Sequence, residues 1–83
     1  MTKQIPSIGR IVHYVGYGTP NGEYQPDHRA AIVTEVPNDV QPDSAIGVCV
    51  VTPQGMFFNR VIPFDETGTA GGSWHWPEYV PAN

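Results

Sequence analysis

Three histidines, three arginines and a cluster of aromatic residues are the side chains of this sequence with chemistry to offer. His13, His28 and His75 lie far apart along the chain. Zinc sites usually announce themselves as closely spaced pairs of ligands, and no two of these histidines have that spacing. A three-histidine centre assembled in space would also want a supporting cysteine or acidic pair, and none stands beside them. No metal site is therefore expected. Asp65 and Glu66 are adjacent carboxylates in a loop and read as solvated. No Ser-His-Asp or nucleophile-elbow pattern occurs, and Gly16-x-Gly18 lacks the continuation of a phosphate loop. A non-catalytic protein without a cofactor is expected.

The stretch Gly72-Ser73-Trp74-His75-Trp76-Pro77-Glu78-Tyr79 is the most unusual. In a strand, Trp74 and Trp76 share one face and His75 takes the other. Either the two indoles close a small core, each burying about 150–250 Å², or one lies flat as a stacking surface for a planar ligand. Tyr14 and Tyr17 are further stacking candidates. Tyr17 belongs to a loop, Gly16 to Tyr24, that mixes tyrosine with glycine and asparagine, a composition suited to adaptable contact surfaces. Arg10, Arg29 and Arg60 each fall in or beside an expected strand. Their guanidinium forks suit phosphate or carboxylate, and they converge on one ligand only if their strands are neighbours. His13 and His75 would supply hydrogen bonds at such a site.

Short strands must position these groups. No stretch of 11 residues keeps apolar side chains at i, i+3, i+4 and i+7 without an interrupting proline or glycine. Five strands are expected instead: Gly9 to Val15, His28 to Val36, Ala45 to Val51, Met56 to Ile62, and Ser73 to Trp76. In the first, Arg10, Val12 and Tyr14 face one way; Ile11, His13 and Val15 face the other. Thr52-Pro53-Gln54-Gly55 has the residue order of a type I turn and joins the third and fourth strands in a hairpin. The fold expected is all-β: a small SH3-like barrel or a compact antiparallel sheet of about five strands, in one domain over residues 1–83.

Composition narrows the partners. Nine glycines and nine prolines among 83 residues signal many turns, while 40% apolar and 11% aromatic content argues against disorder. The net charge is −4, and Lys3, Arg10, Arg29 and Arg60 form no basic stripe. General nucleic-acid binding, which rests on neutralised phosphates, is not expected. Cys49, alone in an apolar run, reads as a buried inert thiol. No apolar run approaches the ~20 residues that span a bilayer, and no signal-peptide pattern opens the chain. A cytoplasmic protein is expected.

Three blocks carry a resemblance. Pro6-Ser7-Ile8-Gly9-Arg10-Ile11-Val12-His13-Tyr14, then His28-Arg29-Ala30-Ala31-Ile32-Val33, then Gly72-Ser73-Trp74-His75-Trp76-Pro77-Glu78 resemble a family of small proteins encoded by tailed bacteriophages and prophages. Its pattern opens close to P-S-I-G-R-I-V-H-Y, has an A-I-V-V strand and closes on G-T-W-[HS]-W-P-E. This chain departs from it in a short loop from Gly16 to Asp27 and in Ser73, which replaces threonine. The resemblance implies an infected bacterial cell as the setting. By analogy of size, origin and composition, it also suggests a sponge that sequesters a nucleotide-derived host immune signal without cleaving it. A minor virion or assembly protein that binds another protein is the second expectation, and a small hydrolase using the histidines the third. So small a core and so few charges further predict a homo-oligomer, with the ligand site at or near its interface.

Overall fold

The computed structural model describes residues 3–16 and 27–77. Alternating apolar side chains and β-branched residues form five strands: β1 (Ile11–Val15), β2 (His28–Glu35), β3 (Ile46–Thr52), β4 (Gly55–Ile62) and β5 (Ser73–His75). They make one sheet in the order β4-β3-β2-β1-β5, with every ladder antiparallel. No helix is present among the described residues, so none is long and apolar enough to cross a membrane.

The all-β expectation holds in its sheet form. The barrel form is corrected, because β4 and β5 remain opposite edges of the sheet. Beyond Ile62 the chain nevertheless crosses to the β5 edge. Trp74 N–H donates to the Pro63 carbonyl at 2.9 Å, and Asp65 N–H donates to the Trp74 carbonyl at 3.0 Å. These bonds make one isolated parallel bridge, Phe64 to Trp74, too short to close a barrel.

One face of the sheet carries the core. Val12, Tyr14, Ala31, Val33, Val48, Val50 and Trp74 are buried there, joined by Ile46 and Ile62. Trp74 is the largest of the fully buried side chains, and its indole N–H donates to the Ser44 carbonyl at 3.0 Å. Burying an indole is favoured only when its polar hydrogen finds a partner. The opposite face keeps Ile11, Ile32, Val51, Met56 and Phe58 exposed.

Two local features depart from the plain alternation read in the sequence. Ile8–Gly9 is a turn rather than the start of β1, with Gly9 at φ 94°. Gly9 N–H still donates to the Val33 carbonyl at 2.8 Å, and Val33 N–H to the Arg10 carbonyl at 2.9 Å. The register also shifts on both sides of Gly47, against β2 and against β4. A side chain at Gly47 would bring its Cβ to 3.0 Å from the Cβ of Glu35, and Glu35 reaches over this gap to Arg60. Across from it Val61 takes φ 58°, a left-handed conformation that crowds a β-branched side chain.

Candidate ligand groove and histidine cluster

The sheet gathers the three histidines. His13 on β1 stands opposite Ala30 on β2 and, on its other side, opposite His75 on β5. His28 stands two pairs along, opposite Val15. Residues paired across a ladder, and those two apart on a strand, share a face, so all three rings project to the side away from the core. The ring centroids lie 5.5 Å apart for His13 and His75, 4.7 Å for His28 and His75, and 6.1 Å for His13 and His28. One ring nitrogen from each lies within 4.8 Å of those of the other two. His75 is buried, His13 half-buried and His28 exposed. The expectation of no metal site rested on spacing along the chain, and this convergence removes that ground.

A loop folds over the cluster. The Asp65 carboxylate organises it by accepting from Thr67 N–H at 3.1 Å, Thr67 Oγ1 at 2.7 Å, Thr69 N–H at 3.2 Å and Ala70 N–H at 2.8 Å. The Thr67 bond first, and the Ala70 N–H next, hold its pKa down to about 2. At its tip, Gly68 lies against the His75 ring and accepts at its carbonyl from His28 Nε2 at 3.0 Å. A carboxyl whose folded pKa falls below its unfolded value stabilises the fold above the unfolded pKa and stops doing so as pH falls through the folded one. The urea midpoint should therefore drop between about pH 4 and pH 2, and Asp65→Asn should flatten that part of the profile. An unchanged slope in the variant would show that the loop does not depend on this charge.

The arginines do not converge. Arg29 pairs with Asp27 at 3.2 Å. Arg60 grips Glu35 with two bonds, of 3.0 and 2.8 Å. The hydrogen bonds and charge of this pair lower the Glu35 pKa and raise that of Arg60. Arg10 lies 4.7 Å over the Trp76 ring, and its Nη2 donates to Gln4 Oε1 at 2.6 Å. Of the stacking candidates, Trp74 is 0% exposed and Tyr14 only 5%. Tyr14 packs edge-on against Phe57, 6.0 Å between centroids. Both are core and offer no face to a ligand. Tyr17 lies outside the described residues. Trp76 is half-buried, edge-on to Trp74 at 5.6 Å.

Trp76 also lines a groove of about 550 Å³ with Lys3, Gln4, Pro42, Asp43, Phe64 and Glu66. This joins an aromatic wall to one ammonium and two carboxylates, with the Arg10 guanidinium on the Trp76 ring beside it. A second hollow of about 380 Å³ lies between Val36, Ile46 and Val61, where Glu35 already occupies Arg60. Set against protein-family models, curated proteins and solved structures, the chain matches none of them.

Reading the sequence did not single out Lys3, Asp43, Phe64 or Glu66 for the groove, nor Gly68 for the histidine cluster; it weighed His13, His28 and His75 as one centre and set that aside for want of close spacing. The alternation along β1 and β5 already placed His13 and His75 on the faces they occupy. Knowing that β5 pairs with β1 was the missing step.

Proposed function

We propose that this chain is a non-catalytic binding protein whose Trp76 groove takes a small nucleotide-derived ligand. It would act as a phage-encoded sponge that withholds a host immune signal in the cytoplasm of an infected bacterium. The groove carries the reading. A base stacks on Trp76 or Phe64, the Asp43 or Glu66 carboxylate accepts from ribose hydroxyls as acidic residues do in dinucleotide sites, and Lys3 with Arg10 faces a phosphate. With Arg29 and Arg60 engaged elsewhere, the groove suits a ligand with few phosphates. Pairing of two copies through the sheet would add walls to it, in keeping with the expected homo-oligomer.

Thermal shift and calorimetry with ADP-ribose derivatives, cyclic dinucleotides and plain nucleosides test the proposal. Base–aromatic stacking contributes about 1–3 kcal/mol per base, so Trp76→Ala should weaken binding by roughly 10- to 100-fold. The chain has two tryptophans and Trp74 is buried, so ligand quenching of fluorescence should vanish in the variant. Ligand recovered intact from the heated complex supports sequestration; a cleaved product overturns it. No response to any of these compounds overturns the nucleotide reading. A minor virion or assembly role is the second reading, favoured by the exposed Ile11, Ile32, Met56 and Phe58.

A further inference from the structure

We infer that His13, His28 and His75 form a binding site for a single divalent transition-metal ion, zinc in the first instance, which fastens β5 to the sheet. This goes beyond the proposed ligand reading and does not depend on it. The cluster lies on the face away from the core, and Trp76 takes no part in it.

The donor set selects the ion. Three neutral imidazoles suit zinc and its neighbours in the first transition row; magnesium and calcium take oxygen donors. Zinc–nitrogen bonds of about 2.0–2.1 Å in a tetrahedron put the ligand atoms roughly 3.4 Å apart. The three nitrogens already lie within 4.8 Å of one another, so modest rotation of the rings closes the difference. The ladder registers hold the backbones in place: His13 is paired directly with His75, and His28 sits two residues along β2 from the partner of His13, on the same face. An ion reaches the site from the side of His28, which is exposed.

The surroundings are those that ligating histidines use. A carbonyl only accepts, so His28 Nε2, 3.0 Å from the Gly68 carbonyl, must carry the hydrogen. That bond orients the His28 ring. A backbone carbonyl or carboxylate in this position orients metal-bound histidines generally. The Asp65 bonds that shape the loop hold that carbonyl still. Three histidines leave a fourth position for water or another donor.

Such an ion supplies what a small scaffold lacks. β5 has three residues and, among the described strands, pairs with β1 alone, beside the single bridge to Phe64, yet it carries the central core side chain. A core near this size seldom supplies more than a few kcal/mol by itself, and a disulfide or a metal is a common supplement. Cys49 is the sole cysteine and cannot form an intrachain bridge. One ion held by β1, β2 and β5 ties the short strand to two others.

The test uses the full chain, stripped with chelator and titrated with zinc, then with cobalt as a spectroscopic substitute. The expected result is one zinc per chain, a Kd below about 1 µM, a Tm raised by several degrees, and visible cobalt bands of tetrahedral type. His28→Ala, at an exposed position, should keep the strand signature in circular dichroism and weaken zinc binding by about 100-fold or more. His13→Ala should do likewise, and His75→Gln serves where alanine at that buried position unfolds the chain. Absence of zinc binding at micromolar concentration overturns the inference. So does binding that His28→Ala and His13→Ala leave unchanged, or a stoichiometry of half an ion per chain, which would place the ion between two copies.

Discussion

Trp74→Ala should cost about 3–5 kcal/mol, a large share of the stability the fold has. At roughly 0.05–0.15 kcal/mol per residue, a domain of this length has only about 4–12 kcal/mol in total. Trp74 is 0% exposed and packs against Phe64, at 4.8 Å between ring centroids, and against Trp76. Its removal empties the middle of the core and strands the Ser44 carbonyl, which accepts from the indole N–H. It also strips the side chain from the one residue that links β5 to the strand–loop junction at Phe64. Urea unfolding followed by circular dichroism measures the loss. Trp74→Phe separates the contributions: it keeps most of the apolar area but not the donor, and should cost about 1–3 kcal/mol. A midpoint for Trp74→Ala matching the wild type would mean that the core lies elsewhere.

The second large effect is expected at Gly68. Its φ of 71° costs an alanine about 1–2 kcal/mol on backbone grounds alone. An alanine Cβ would also meet His75 Cε1 at 3.1 Å and both ring nitrogens at 3.3 Å. The ring is buried beneath the loop and has little room to withdraw, so overpacking adds about 1–3 kcal/mol. Gly9 provides the control, because its φ is 94° but a Cβ there meets nothing within 4 Å. Gly9→Ala should therefore show the backbone cost alone, and Gly68→Ala clearly more. Equal losses at the two positions would show that the loop lifts away freely and does not pin the His75 ring.

Much of this architecture was legible in the residues. Prolines and glycines bracket the strands, so the expected spans differ from the observed ones by two residues at most. The Thr52–Gly55 turn falls where its residue order puts it: Thr52 pairs with Gly55, and Thr52 Oγ1 donates to the Gly55 carbonyl at 2.9 Å. Alternation put Val12 and Tyr14 on one face and His13 on the other, and put His75 opposite to Trp74. What alternation cannot give is which strands are neighbours. The pairing of β5 with β1 is long-range, and it brings His75 to the pair that His13 and His28 already make across β1 and β2. The arginines illustrate the same limit. Local sequence leaves Arg60 available for a ligand, whereas a register shift at Gly47 lets it meet Glu35, 25 residues away. The choice between sheet and barrel likewise rests on whether β4 and β5 meet, which no side-chain pattern encodes; they remain opposite edges.

The position of β5 at the far edge has a kinetic side. β2, β3 and β4 follow one another in the chain and pair in turn, each through a local connection. β5 must instead come back to β1 across the whole intervening chain, from Ser73 to Val15. The entropy of closing that loop is lost before the contacts of β5 compensate for it, so the meander can assemble ahead of its largest core side chain. Until β5 arrives, the meander exposes the apolar surface that Trp74 covers, and the cluster has only two of its three histidines in place. Core completion and the gathering of the third imidazole are thus one event, tied to the same three-residue strand.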